Sequence, residues 1–251
     1  MVTLLYDLGN SRVKLALLPA QGEFNPATIV TLAEAEFRAN PTASLKPFGK
    51  VDEAVGCSTN PAALEALTAS LSEQEIEPTA ALDRCPLAID YGEGLGDDRV
   101  LAAWLAYKRL GAPVAVVGCG TAVTVDLLVL REGLPHFLGG AIMAGERLLL
   151  NALGQLGGLP ELEPSELILL PPGQSTTSCL LIGASSQVEG GLRLLLTSYA
   201  AEFPELEAVE LPLLLHGGDA DRYLRSHPGA VEREEFAVLA AIANLITKPL
   251  V

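Results

Sequence analysis

The sequence lacks several features that would place it in a familiar class. Its 251 residues include 16 Lys and Arg against 31 Asp and Glu, a formal net charge of −15. A nucleic-acid-binding protein needs a basic face, so this balance argues against one and leaves any anionic substrate to local donors. No apolar run has the length of a membrane span, and no basic region precedes the first apolar run, which Asp7 interrupts. The sequence therefore predicts neither a membrane segment nor a signal peptide.

Two cofactor and metal signatures are also missing. The four cysteines at 57, 85, 119 and 179 form no CxxC pair and no ligand-spaced set, which predicts reduced thiols in a cytoplasmic protein. No GxxxxGK[ST] sequence is present, which excludes a P-loop, and the glycines at 92–94 and 118–120 lack the spacing of a dinucleotide-binding loop. Because aromatic residues are only 5% of the chain, we expect a core of Leu, Val and Ala.

The stretch from Gly96 to Asp126 is the most informative part of the chain. Val100, Leu101, Trp104 and Leu105 share one helical face, and Gly111 and Pro113 are typical of the end of that helix. A short apolar strand over 114–117, a turn over 118–121 and a second strand over 124–130 follow. An acidic pair thus opens a helix close to a Gly/Thr turn, which suits an attacking alcohol and a phosphate group.

The same strand–turn–strand pattern occurs at the N-terminus. Strands over 3–6 and 13–18 flank the turn residues 7–11, which supply glycine, asparagine and a hydroxyl. Alone this is a good hairpin turn, but its repetition at 114–128 predicts an internally duplicated, two-lobed α/β fold. We place the boundary between residues 1–112 and 113–251, so that each lobe presents one turn to a shared cleft.

Other elements are predicted from local patterns. Thr59 or Asn60 caps a helix that runs from Pro61 to Leu71, and Gly173–Thr176 caps a helix that runs to Leu196. Further predicted helices cover 32–38, 146–153 and 232–246, and further predicted strands cover 51–57, 80–89 and 211–215. Residues 138–145 are predicted to approach another group closely, and 157–172 to form a loop.

Six motifs in register give the chain a resemblance to the type III pantothenate kinases, which belong to the acetate kinase and actin-like ATPase superfamily. The matching segments are Asp7–Lys14 for DxGN[ST]xxK, Gly96–Arg99 for GxDR, Gly120–Thr124 for the second phosphate motif, Leu138–Gly145 for LGGxIxPG with Ala144 in place of Pro, Gly173–Thr176 for GK[NS]T with Gln174 in place of Lys, and His216–Gly218 for TGG near the adenosine. The resemblance implies an RNase H-like fold with mixed sheets, helices and an ATP cleft between the lobes.

The resemblance also implies transfer of the ATP γ-phosphate to pantothenate, the first step of coenzyme A biosynthesis, by a cytoplasmic homodimer. Asp98 would be the general base, and Asp7 would face Mg²⁺ through water. Asp97 would stand at the helix N-terminus as a cap, and Arg99 would hold the substrate carboxylate. Residues implied to bind ATP are Asp7, Leu8, Gly9, Asn10, Ser11, Arg12, Val13, Lys14, Gly120 and Thr121. Residues implied to bind pantothenate are Tyr91, Gly96, Asp97, Asp98, Arg99 and Thr176.

The chain departs from the family pattern at three positions of interest. Gly118 stands where the family has an Asp that helps to hold K⁺ or NH₄⁺, which predicts weak or absent dependence on a monovalent cation. Tyr91 lies nearer the GxDR motif than its family counterpart, and His216 replaces a Thr. Two alternatives remain from the sequence: a non-enzymatic regulator of the same fold, and a kinase for another small alcohol.

Overall fold

The computed structural model describes residues 1–21, 23–165, 171–203, 211–224 and 229–248, which divide into two units. The first unit combines Met1–Lys108 with Phe236–Val251, and the second is Arg109–Glu235. The unit limit at Lys108 lies near the predicted boundary at 112. The sequence predicted that the C-terminal segment belongs to the second unit. In the structure it groups with the first unit instead. It does so because its helix packs on strands near the N-terminus.

The described residues contain both strands and helices in each unit. The strands are β1 (Thr3–Leu8), β2 (Arg12–Leu18), β3 (Val30–Ala33), β4 (Glu53–Ser58), β5 (Pro78–Ala80), β6 (Ala88–Ile89), β7 (Val114–Cys119), β8 (Ala122–Arg131), β9 (Leu134–Ala144), β10 (Leu213–His216) and β11 (Val231–Glu234). The helices are α1 (Glu34–Ala39), α2 (Pro41–Leu45), α3 (Pro61–Leu71), α4 (Asp97–Leu110), α5 (Glu146–Gly154), α6 (Thr176–Glu202) and α7 (Ala237–Thr247). Short 3₁₀ turns connect several of them. No helix in these described ranges is long and apolar enough to cross a membrane.

The two units have the same strand arrangement. In the first unit the order is β3-β2-β1-β4-β5, and the corresponding strands of the second unit are ordered β9-β8-β7-β10-β11. In each, three antiparallel strands form a meander, a fourth strand pairs in parallel with the first of them, and a fifth pairs in parallel with the fourth. The duplicated α/β fold with mixed sheets is therefore confirmed.

Each unit buries an apolar cluster against its sheet. In the first unit, Leu4, Leu15 and Phe37 are buried together with Leu67 of α3. In the second unit, Val188 and neighbouring side chains of α6 pack against β7, β8 and β10. The strand residues in this cluster are mainly Val, Leu and Ala. The expected aliphatic core is therefore present in both units, where it packs the helices against the sheets.

Local signals account for three helix ends that the sequence predicted. The Asn60 side chain accepts a hydrogen bond from the backbone N–H of Ala63 at 3.0 Å, and Pro61 occupies the first turn of α3. Ser175 and Ser178 form a capping box at the start of α6. Gly111 follows the end of α4 with φ +79°, the left-handed conformation that glycine adopts at little cost. These three predicted elements are confirmed.

Four predictions differ from the structure. Residues 80–89 hold the end of β5, a 3₁₀ turn and β6 in place of one strand, and the helix predicted over 32–38 begins only at Glu34, after β3. Residues 138–145 lie mainly in β9, a strand that was not predicted, but their predicted close approach to another group is confirmed, since a Cβ on Gly145 would lie 2.5 Å from the Gly120 oxygen. The helix predicted over 232–246 is two elements, because Val231–Glu234 pairs in parallel with β10 before α7 begins at Ala237. Of the loop predicted over 157–172, residues 166–170 lie outside the described residues.

Candidate active site

The first glycine turn lies at the ends of β1 and β2. The backbone N–H of Gly9 donates to the carbonyl of Arg12 at 3.0 Å, and a Cβ at Gly9 would lie 3.1 Å from that oxygen. Asn10 and Ser11 are exposed at the tip. The turn therefore presents a bare backbone and a hydroxyl, which are groups that bind phosphate oxygens.

Asp7 lies directly behind this turn, between two strand neighbours. In the register of the sheet it faces Lys14 on β2 and Cys57 on β4. The Lys14 ammonium donates to Asp7 Oδ2 at 2.8 Å, and the Cys57 thiol lies 3.9 Å from Oδ1. Asp7 is only 8% exposed, and each of its carboxylate oxygens contacts a protein side chain.

The charges around Asp7 are well defined. Burial opposes the charged form of Lys14, but Asp7 outweighs it, so the pKa of Lys14 is raised above its usual value. Burial, followed by the charges of Asp7, Asp98 and Asp97, raises the pKa of Cys57 well above its usual value. Lys14 is therefore a cation and Cys57 a neutral thiol at physiological pH.

The acidic motif opens α4. Asp97 and Asp98 lie in its first turn, and the backbone N–H of Arg99 donates to the Gly96 carbonyl at 3.2 Å. A Cβ placed on Gly96 would lie 2.5 Å from Asp98 Oδ1. The Asp98 carboxylate thus bends back over Gly96, and only glycine leaves it that room.

Asp97 has a different environment from its neighbour. It is the first residue of α4, where we had expected the capping residue before the helix, so the capping prediction is wrong in detail. Burial, followed by the charge of Asp83, raises the pKa of Asp97. Its place in the first turn still favours a negative charge near the helix N-terminus.

Arg99 and Tyr91 contact each other. The guanidinium carbon of Arg99 lies 5.3 Å from the centre of the Tyr91 ring, and Nη1 is 3.4 Å from the Tyr91 hydroxyl. Arg99 is 7% exposed and Tyr91 39% exposed. A planar cation is therefore held in place by an aromatic ring, which suits binding of a carboxylate.

The first unit thus brings together the residues of two motifs that are 80 or more positions apart in the sequence. Asp98 contributes to the raised pKa values of both Lys14 and Cys57, which lie beside Asp7. The Asp98 carboxylate, the Lys14 ammonium and the first glycine turn therefore lie in the same region of this unit. This is the arrangement that a phosphoryl transfer from a nucleotide to an alcohol needs.

The second unit carries the second turn. Gly120 donates from its backbone N–H to the Ala122 carbonyl at 3.1 Å, and Gly145 donates to the Thr121 carbonyl at 3.0 Å. A Cβ on Gly145 would lie 2.5 Å from the Gly120 oxygen, so the glycine after β9 packs directly on this turn. Gly120 and Thr121 are exposed, as a phosphate-binding turn requires.

Thr176 is the first residue of α6 in the same unit and is also exposed. Ser175 before it accepts a hydrogen bond from the Ser178 backbone N–H at 3.1 Å, so its part is to cap the helix. Capping by Ser175 leaves the Thr176 hydroxyl as the remaining candidate for a substrate contact in this motif.

Two contacts near these turns were not predicted from the sequence. One is the thiol of Cys57 beside Asp7, which depends on the parallel pairing of β1 with β4. The other is an ion pair between Glu146 of α5, 5% exposed, and Arg222, which lies after the turn at 217–219. Neither has a local sequence signal, because both join residues at least 50 positions apart.

Comparison with known proteins agrees with the geometry. The family model for type III pantothenate kinase matches residues 3–195. A type III pantothenate kinase of Chlorobaculum parvum is 30% identical over 266 aligned residues, covering 98% of this chain and 94% of the relative. That of Alkalilimnicola ehrlichii is 32% identical, covering 96% of each chain. The chain belongs to the type III pantothenate kinase family.

Solved structures support the fold of this family member. A Campylobacter jejuni protein assigned to the Baf family of transcriptional activators has a TM-score of 0.56 at 19% identity, covering 98% of each chain. A Listeria monocytogenes protein assigned as an N-acetylmannosamine kinase has a TM-score of 0.52 at 12% identity, covering 99% of each chain. At these identities the likeness concerns the fold alone.

The contact between Gly96 and Asp98 gives a direct test of the site. We expect Gly96→Ala to lower kcat/KM by about 10²-fold, because its Cβ displaces the carboxylate and misplaced catalytic groups lose about that much. Steady-state kinetics on the purified variant would measure this, and circular dichroism would confirm that α4 is retained. Gly92→Ala is the matched control, since nothing lies within 4 Å of a Cβ there. Equal activity of the Gly96 variant and wild type would contradict the placement of Asp98.

Proposed function

We propose that this protein transfers the γ-phosphoryl group of ATP to the primary hydroxyl of pantothenate. The observation that carries the proposal is the Asp98 carboxylate, fixed over Gly96 in the unit that also holds the Asp7–Lys14 pair. Family membership supports the choice of substrate, because the relatives are named type III pantothenate kinases.

The reaction needs positioning and charge neutralisation more than covalent catalysis. In the proposed mechanism Asp98 accepts the proton of the substrate hydroxyl as that oxygen attacks phosphorus. Lys14 and the backbone of Gly9–Ser11 bind phosphate oxygens, and Gly120 and Thr121 bind them from the second turn. Leu8, Arg12 and Val13 complete the first turn and hold its strands in register.

Substrate orientation falls to other residues of the same motifs. Arg99, held by the Tyr91 ring, binds the pantothenate carboxylate through its planar fork. Gly96 and Asp97 contact the substrate next to its reacting hydroxyl. Thr176 contributes a hydroxyl from α6. These roles rest on the positions of the residues and on the family pattern.

Mg²⁺ fits this site only in one manner. Both oxygens of Asp7 have protein partners, so Asp7 would hold the ion through water and not as a direct ligand. Among the residues that the structure describes, no group of three or more His, Cys, Asp or Glu could hold a metal ion by itself. When bound with the nucleotide, the ion would supply neutralisation of phosphate charge.

We also propose that the protein is a homodimer working in the cytoplasm. Six large apolar side chains among the described residues of the second unit are exposed, including Ile142, Leu148 and Leu194 at 62%, 41% and 68%, and a second copy of the chain would give them a cover. The four cysteines are free, as in a reducing compartment. Light scattering should give twice 26.3 kDa at working concentration, and an active species of 26.3 kDa would contradict the dimer.

The function is tested with a panel of alcohols and ATP. ADP release is followed with pantothenate, with the corresponding alcohol pantothenol, which lacks the carboxylate, and with N-acetylmannosamine. We expect turnover with pantothenate and much weaker turnover with pantothenol, because Arg99 then has no anion to bind. Preference for another alcohol would make the protein a different kinase. No ATP turnover with any alcohol would favour a non-enzymatic regulator of the same fold.

A further inference from the structure

A row of side chains crosses the sheet of the second unit just before its glycine turn. In register, His216 on β10 lies beside Gly118 on β7, and Gly118 lies beside Thr124 on β8. Residues directly opposite each other on neighbouring strands point to the same face. His216, Gly118 and Thr124 therefore form one line of neighbours, two residues from the exposed turn at Gly120.

Gly118 has no room for a side chain. A Cβ at this position would lie 2.7 Å from Thr124 Oγ1, 3.0 Å from His216 Nε2 and 3.2 Å from His216 Cε1. Separations this short are tighter than ordinary van der Waals contact, so the hydroxyl and the imidazole would both have to move. The imidazole of His216 thus occupies the space in front of Gly118, where the family places an aspartate.

The surrounding groups do not fit a monovalent cation. Such an ion exchanges its hydration for oxygen ligands, and a carboxylate offsets most of that cost. Here the row offers one hydroxyl, the Gly118 carbonyl and an imidazole. Asp126, the next residue on the same face of β8, is 1% exposed and lies opposite Val116, farther from the turn. Glu234, opposite His216 on β11, is paired with Arg109 at 2.9 Å.

We infer that His216 has replaced the monovalent-cation site of this family, so that the protein phosphorylates its substrate without K⁺ or NH₄⁺. The exchange involves two positions at once, since the loss of a side chain at 118 provides the space that the imidazole fills. His216 acts here as a positioning residue, which packs against Thr124 and keeps the β7–β8 hairpin and its turn in place. This inference rests on the proposed function.

The first test is a salt titration. Activity of the dialysed protein is measured in Na⁺ and in K⁺ at constant ionic strength, and the affinity for a non-hydrolysable ATP analogue is measured by calorimetry in the same two salts. We expect both quantities to be the same in the two salts. Strong, saturable activation or tighter nucleotide binding in K⁺ alone would overturn the inference.

The second test restores the residues of the family pattern at positions 118 and 216. Gly118→Asp alone should be poorly active and less stable, because the aspartate meets the imidazole. Combined with His216→Thr, it should recover stability and become activated by K⁺ about tenfold or more, because a full charge returns to the site. His216→Thr alone is the control for loss of the imidazole. A double variant as unstable as Gly118→Asp would show that the two positions are not coupled and would also overturn the inference.

Failure of this inference can be told apart from failure of the proposed function. If pantothenate is not phosphorylated in any salt, the proposed function is wrong. The calorimetric affinities and the melting temperatures of the four proteins still decide the inference in that case, since neither requires turnover.

Discussion

Asp98→Asn is expected to lower kcat/KM for pantothenate by about 10²–10⁴-fold, the usual loss when a general base is removed. The amide has nearly the same shape as the carboxylate and can still lie over Gly96, but it cannot accept the proton of the attacking hydroxyl. Nucleotide affinity should change little, because the proposed role of Asp98 concerns the alcohol and Asp98 is not part of the glycine turn. Steady-state kinetics and calorimetry with an ATP analogue would measure the two effects separately.

The neighbouring carboxylate supplies the control for this variant. Asp97→Asn removes one negative charge from the same helical turn but leaves the proposed base intact. Because Asp97 is proposed to contact the substrate without accepting its proton, we expect the variant to raise the KM for pantothenate while its kcat stays within a few-fold of wild type. If Asp98→Asn kept such a rate, or if Asp97→Asn lost as much as Asp98→Asn, the assignment of the base would have to be abandoned.

Gly56→Ala is expected to cause a large loss of stability, about 3 kcal/mol. Gly56 lies on β4 directly beside Tyr6 of β1. A Cβ there would lie 2.0 Å from the Tyr6 carbonyl oxygen and 2.4 Å from two carbons of its ring. The backbone oxygen cannot move without disturbing the parallel pairing of β1 and β4, and the ring is held by a hydrogen bond from its hydroxyl to the Thr79 carbonyl at 2.9 Å.

Denaturant unfolding would measure this loss as a lower midpoint. Gly92→Ala again provides a matched change in open space and should leave the midpoint unchanged within about 0.5 kcal/mol, as surface substitutions usually do. Because Gly56 is next to Cys57, the variant should also disturb the thiol beside Asp7. An unchanged midpoint for Gly56→Ala would mean that the two strands are less closely paired than described.

Features that depend on neighbouring residues were predictable from the sequence. The first hairpin, the capped helices α3 and α6 and the start of α4 each have their signal within a few positions, and all are present. The duplication was also predictable, since each unit repeats the strand–turn–strand pattern. The motifs pointed to Asp7, Lys14 and Asp98, which the structure brings into one unit.

Features that depend on distant pairing were not predictable in the same way. Val231–Glu234 contains three charged residues and became a strand because β10 offers it a parallel partner. The sequence singled out Gly118 and His216 as separate departures from the family. Only the pairing of β7 with β10 shows that one accommodates the other. Parallel strands are joined by long connections, so their register leaves little local trace.

The return of α7 to the first unit has a consequence for the order in which the protein can fold during synthesis. The second unit is one unbroken segment, whereas the first needs its N-terminal 108 residues and the helix that begins at Ala237. Most residues of α7 are buried, and the helix contacts β1 and β4. During synthesis the second unit can therefore complete its core before α7 is made, whereas the sheet of the first unit lacks the cover of α7 until that helix follows.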